Sequence, residues 1–197
     1  PQGIAAQHIK GVSPQFRQGL DDTAAGVEQV VLTGLSKEQA TLYERVVNLG
    51  LEDVEASEEG IARRGAILTT LLRLKQICNH PAHYLNDGSA LSNRSAKLDL
   101  LGEMLEEALS EGDRCLIFSQ FKEMGTLLKT YFENQLEEKV LFLHGGGRQK
   151  SREDMVEAFQ VADVDSPRIF VLSLKAGGTG VNLTAANRVF HFDRWWN

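Results

Sequence analysis

With 197 residues, 42% of them apolar and 24% charged, the chain has the make-up of a folded globular protein and not of a disordered or fibrous one. No run of about 18 apolar residues is present to cross a membrane, PQGIAAQHIK has no apolar signal region, and two cysteines, Cys78 and Cys115, fit a reducing compartment better than a disulfide framework. A net charge of −6 argues against nucleic acid, but residues 1–113 hold 10 Lys/Arg against 17 Asp/Glu while residues 114–197 hold 11 against 10, which leaves room for a local phosphate-binding face.

Residues 1–26 show no sustained periodicity and read as a poorly structured lead-in. Val27 to Leu32 alternates as a half-buried edge strand does. Ser36 with Gln39 three residues on forms a capping box, and Leu42, Val46 and Leu49 give the helix that follows an apolar stripe. Acidic residues crowd positions 52–59. A second helix runs from about Ile61 to Cys78, and its wide apolar face (Ile67, Leu68, Leu71, Leu72, Leu74, Ile77, Cys78) predicts that it is well buried. Pro81 ends it, so residues 27–80 form an edge strand plus a helical hairpin insertion, and residues 81–94 read as a polar linker.

From Ser95 the rhythm changes. A capped helix carries Leu98, Leu101, Leu105 and Leu109 and stops at Gly112. Short apolar runs at 114–119, 140–144, 168–173 and 188–193 then alternate with helical patterns at about 122–138 and 149–160. Strands alternating with helices predict an α/β fold over residues 95–197, a parallel sheet with helices on both faces. In such a sheet ligands bind at the carboxyl ends of the strands. That rule selects SQF after the first run, HGGGRQKSR after the second, SLKAGGTGVNL after the third and DRWWN after the last.

The glycine-rich stretch from Ser173 to Leu183 lets backbone approach phosphates, and Lys175 adds a point charge. No GxxxxGK[ST] occurs, so it is not a Walker P-loop, and no GxGxxG follows the first strand of the sheet. Arg148, Lys150 and Arg152 alternate beside glycines at a strand end and read as phosphate contacts. Cys78, His80 and His83 suggest zinc, but only Cys115 could complete the set and it lies in a buried-type strand; Cys78 reads as a helix-packing residue and no metal is assigned to the chain. His144 and His191 lack a carboxylate or nucleophile at recognisable spacing and read as structural. Trp195 and Trp196 read as packing beside a strand end, and Arg63, Arg64, Arg73 and Lys75 as a solvated helix face.

Ser173-Leu-Lys-Ala-Gly-Gly-Thr-Gly-Val-Asn-Leu183 closely resembles motif V of the Swi/Snf-type ATPases, the remodelling and DNA-translocating branch of helicase superfamily two. Arg73-Leu-Lys-Gln-Ile-Cys-Asn-His-Pro81 resembles the helix end before that family's second lobe, and Leu116-Ile-Phe-Ser-Gln-Phe121 resembles motif IV. Leu143-His-Gly145 with Arg152, and His191-Phe-Asp-Arg-Trp-Trp-Asn197, follow in the family's order over about residues 28–197. The resemblance implies a RecA-like C-terminal motor lobe with an N-terminal helical insertion, one half of an ATP-dependent double-stranded DNA translocase. It implies DNA contact by Ser119, Gln120, Gly145, Ser173 and Lys175, and an ATP cleft lined by Gly180 and Asn182. ATP and its Mg are expected mainly on an N-terminal RecA-like lobe of the same parent protein. Gly146 and Gly147 replace the family's usual Ser-Thr pair, which removes one expected hydroxyl contact to phosphate. The chain stops at Asn197, before motif VI, so a truncated lobe without ATPase activity of its own is expected, with no catalytic residue within it. Its expected setting is the nucleoid-associated cytoplasm of a bacterium or the nucleus of a eukaryote, with no membrane partner. The alternative is a non-catalytic interaction module whose acidic hairpin docks a protein partner.

Overall fold

The computed structural model describes residues 7–13, 27–146, 149–161, 163, 165–173 and 183–193. The chain divides into two compact units, one over Thr33–Asp99 and one over His8–Leu32 and the residues from Leu100 on.

The first unit is helical. α1 (Lys37–Ala56) starts at the expected capping box. The Ser36 hydroxyl accepts the Gln39 N–H at 3.1 Å, and the Gln39 side-chain oxygen accepts the Ser36 N–H at 3.0 Å. The amide nitrogen of the same side chain donates to Ile77 O at 2.7 Å and Cys78 O at 3.2 Å, so one buried Gln39 caps α1 and satisfies the open carbonyls ending α2 (Ile61–Asn79). The two helices cross closely at Gly50, where a Cβ would lie 2.4 Å from Thr70 Cγ2. After α2 the chain turns at His80 into α3 (Pro81–Leu85), a short helix inside the stretch that reads as linker. His80 Nδ1 accepts the Ala82 N–H at 3.0 Å, which makes Nε2 the protonated nitrogen that donates to Leu91 O at 2.9 Å. Asn79 accepts the Ser95 hydroxyl at its carbonyl, 2.9 Å, and Lys97 Nζ at its side chain, 3.0 Å.

The expectation that α2 is well buried is corrected by the structure. Ile61 is 90% exposed and Leu68 60%, with Ile67 and Leu72 also exposed, and Ile77 is the buried aliphatic residue of this helix. α2 carries apolar side chains on more than one face, and within its unit it packs on α1 and α3.

The second unit is a six-stranded sheet in the order β2-β1-β6-β3-β5-β4. β3 (Cys115–Ser119), β4 (Val140–Leu143), β5 (Ile169–Ser173) and β6 (Arg188–His191) are parallel, as the alternation predicts. β1 (Gln7–Ser13) joins β6 antiparallel, with Lys10 opposite His191 and Gly11 opposite Phe190, and β2 (Val27–Thr33) forms the outer edge. β1 lies inside residues 1–26, where the sequence shows no alternation. β1 is held between β2 and β6, and its ladder to β6 is made by backbone groups that do not depend on which side chains it carries.

α4 (Ala96–Ser110) ends where Gly112, at φ +82, lets the Asp113 N–H close back on Ala108 O at 2.9 Å. α5 (Lys122–Leu136) and α6 (Gln149–Gln160) alternate with the strands. Leu116, Leu143, Phe159, Phe170 and Leu172 form the buried cluster between β3, β4, β5 and α6. All five residues of β5 are buried. α5 approaches β4 so closely at Gly125 that a Cβ there would sit 2.4 Å from the Phe142 ring.

Candidate nucleic-acid interface

Parallel strands bring their carboxyl ends to one edge of the sheet, and that edge collects most of the described candidate residues. Ser119 ends β3 and Ser173 ends β5, directly opposite each other in register. Both are buried, Ser119 fully. The His144–Gly146 turn follows β4, its Gly146 N–H donating to His144 Nδ1 at 3.2 Å, and Gly145 is exposed. A Cβ at Gly145 would meet nothing within 4 Å, so the position presents open backbone. Lys150 and Arg152 lie on the first turn of α6, Lys150 exposed and Arg152 half-buried, at a helix start without an acidic residue in its first turn. A helix N-terminus with adjacent cations favours anions. Arg148, Lys175, Gly180 and Asn182, like Trp195 and Trp196, lie outside the described residues.

Sequence reasoning missed Asp193. It follows β6 by two residues, is 5% exposed, and its carboxylate accepts the Ser119 hydroxyl at 2.7 Å and the Gln120 N–H at 2.6 Å. The available signal was an acid just past a strand end at the ligand-binding edge. Beside it the His191 ring stacks on Phe118, centroids 5.3 Å apart and planes at 17°, which gives that histidine a packing role.

The zinc alternative finds no support in the geometry. Both ring nitrogens of His80 are taken by backbone partners, and among the described residues no three His, Cys, Asp or Glu side chains converge. Burial raises the Cys78 thiol above its ordinary range and pushes Cys115 up to about 12, which disfavours the thiolate form a metal would need at either residue. Among the described residues no helix is long and apolar enough to cross a membrane.

Residues 96–197, more than half of the chain, match the helicase conserved C-terminal domain family. The chain belongs to that family, in its Swi/Snf branch. It is similar to the Sulfolobus solfataricus SWI2/SNF2 ATPase C-terminal domain, at 46% identity and a TM-score of 0.74, over 83% of this chain and 70% of that one. The core of that ATPase in complex with dsDNA matches at 44% identity and TM-score 0.74, over 83% of this chain and 34% of that one. YwqA of Bacillus subtilis, which carries the name of an ATP-dependent helicase/translocase, is 43% identical over 87% of this chain. The human SWI/SNF-related regulator of chromatin subfamily A member 1 is 32% identical over 85% of it. The chain spans 18% of the first of these relatives and 16% of the second. As a Swi/Snf-type C-terminal lobe, it carries at its strand ends the segment from Leu116 to Phe121, the His144–Gly146 turn and Ser173.

Proposed function

We propose that this lobe is the second motor lobe of an ATP-dependent translocase on double-stranded DNA. The observation that carries the proposal is the gathering, at one sheet edge, of an exposed glycine turn at 145–146, the Lys150-bearing start of α6 and the Ser119–Gln120 strand end. Exposed glycine backbone, a helix start and lysine or arginine side chains recognise a phosphodiester backbone without reading bases. The relative solved with dsDNA supports that class of ligand. Ser119, Gln120, Gly145, Arg148, Lys150, Arg152, Ser173 and Lys175 form the DNA face in this reading, and Gly180 and Asn182 face the ATP cleft. Closure of two lobes on ATP, and opening after hydrolysis, moves the DNA grip of one lobe against the other.

Magnesium would neutralise phosphate charge during phosphoryl transfer. The described residues bring no metal-binding group together, and Asp193, the acid at the strand ends, is committed to Ser119 and Gln120. The ion, and a Walker-type phosphate grip whose GxxxxGK[ST] spacing does not occur in this sequence, are assigned in this reading to an N-terminal lobe, and the chain by itself should not hydrolyse ATP. DNA-stimulated turnover by the pure chain overturns that assignment.

Duplex binding by the chain, followed by fluorescence anisotropy across a salt series, tests the reading. Weak binding that ignores base sequence and falls steeply with salt supports it. Sequence-selective binding that survives high salt, or none at low salt, overturns it. In a full-length motor carrying this lobe, Lys175→Ala should flatten the salt dependence by roughly one counterion. Asn182→Ala should instead lower DNA-stimulated turnover and leave nucleotide-free DNA binding in place. The exposed Ile61, Leu68 and Leu72 of α2 favour one second reading, a protein-interaction module, which predicts no salt-dependent duplex binding.

A further inference from the structure

β3 and β6 are adjacent parallel strands whose register runs to Phe118 opposite His191. One more backbone bond follows, from the Phe192 N–H to Phe118 O at 2.9 Å. Beyond it a side chain replaces the ladder. The two carboxylate oxygens of Asp193 take consecutive donors from the end of β3: Oδ2 accepts the Ser119 hydroxyl at 2.7 Å and Oδ1 accepts the Gln120 N–H at 2.6 Å. The Ser119 oxygen in turn accepts the Phe121 N–H at 3.3 Å, at the residue that precedes α5. Phe121 makes no side-chain cap of its own for that helix.

We infer that Asp193 is a positioning residue that holds the Ser119–Phe121 turn in its DNA-facing form through the Ser119 hydroxyl and the Gln120 amide. The inference rests on the proposal that this turn faces DNA. It changes the part played by Ser119: a fully buried hydroxyl engaged by Asp193 supports the turn, and the contact with DNA is assigned to Gln120, half-buried within it. Bonds to a carboxylate are stronger than neutral ones, and two on successive residues fix both the place and the orientation of the peptide between them. An acid beside a phosphate-binding face would repel DNA if exposed. At 5% exposure, with both oxygens engaged, Asp193 gives rigidity without presenting its charge. It also ties the turn after β3 to the chain leaving β6, so that the two strand ends move as one.

The test uses the full-length motor that carries this lobe, with DNA-stimulated ATP turnover measured against duplex concentration. Asp193→Ala should raise the KM for DNA about tenfold through loss of orientation, with at most about a twofold fall in kcat at saturating DNA. Asp193→Asn should bring that KM back to within about threefold of wild type, because its carbonyl still accepts the Gln120 N–H and its NH2 can donate to the Ser119 oxygen. The hydroxyl proton so released has Phe121 O at 3.4 Å. Hydrogen exchange should speed up at the Gln120 amide in the Ala variant and stay slow in the Asn variant. If Asp193→Ala does not fold, Ser119→Ala removes one of the two bonds and should raise the DNA KM about threefold; no change overturns the inference. So do an Ala variant with unchanged DNA KM, an Asn variant no better than Ala, or a Gln120 amide indifferent to the substitution. A wild-type motor whose turnover ignores DNA overturns the translocase reading and the DNA-facing part of this inference together. A stimulated wild type with an insensitive Ala variant overturns this inference alone.

Discussion

The hairpin of α1 and α2 and the strands around β5 are both rich in aliphatic residues and use them in opposite ways. Every residue of β5 is buried, because β3 and β4 flank it and side chains such as Phe159 cover its face. In α2, Ile61, Ile67, Leu68 and Leu72 remain exposed beside a helix packed on α1. Burial of an apolar residue thus depends on how many layers the topology stacks against it. A run of leucines says that a face exists to be covered, and the neighbouring elements decide whether it is.

Substitutions that delete the same kind of side chain in the two regions should separate them most sharply. Phe170→Ala, under the sheet, should cost about 3–5 kcal/mol of stability by urea unfolding, since it empties volume in a closed core. A loss below about 1 kcal/mol would mean that the sheet unit is no better packed than the hairpin.

Close approaches give the next largest contrast. Gly125→Ala places a Cβ against the Phe142 ring in a sandwiched layer and should cost about 1–3 kcal/mol. Gly50→Ala meets Thr70 first, whose hydroxyl donates to Ala66 O at 3.0 Å, and the open hairpin can spread, so a smaller loss is expected. Equal losses in the two variants would break the comparison.

The helical unit should also be the more pH-sensitive near neutrality. Burial, opposed by the bond to Leu91 O, lowers the His80 pKa below its ordinary 6.5, with Arg94, Glu38 and Asp99 as the charges around it. The unfolded chain therefore takes up this proton first. Its contribution is fully present above about pH 6.5 and is lost as the pH falls from there toward the folded value. The Glu38 carboxyl, held low by its hydrogen bond to Arg94, loses its own contribution only below its ordinary 4.5. Urea midpoints at pH 7 and pH 5.5 should differ in wild type and converge in His80→Gln. A variant that keeps the full difference would assign the titration elsewhere.

Leu68→Ser should change the stability of the chain by less than about 0.5 kcal/mol, the smallest effect in the series. A loss above about 2 kcal/mol would show the outer face of α2 to be covered in solution, and would erase the contrast with β5.

Features set within one or two turns of chain were legible before any tertiary contact. Ser36 and Gln39 lie within one helical turn, so the capping box was legible before any tertiary contact formed, and it is present. The apolar runs of β3, β4, β5 and β6 and the helical patterns between them specified a parallel α/β sheet, because strand and helix periods are short-range properties. The stretches at the strand ends were legible by the same rule, although Arg148, Lys175, Gly180 and Asn182 lie outside the described residues. Long-range pairings were not legible in this way. β1 has no periodic signature and pairs with β6, 181 positions along between Lys10 and His191 in the paired register. The second use of Gln39, at Ile77 and Cys78, spans 38 and 39 positions, and Asp193 meets Ser119 and Gln120 across 74 and 73. No window of sequence contains both members of such a pair. A hydrogen bond between them depends on two strands or helices first being brought side by side, and that placement is the work of the whole core.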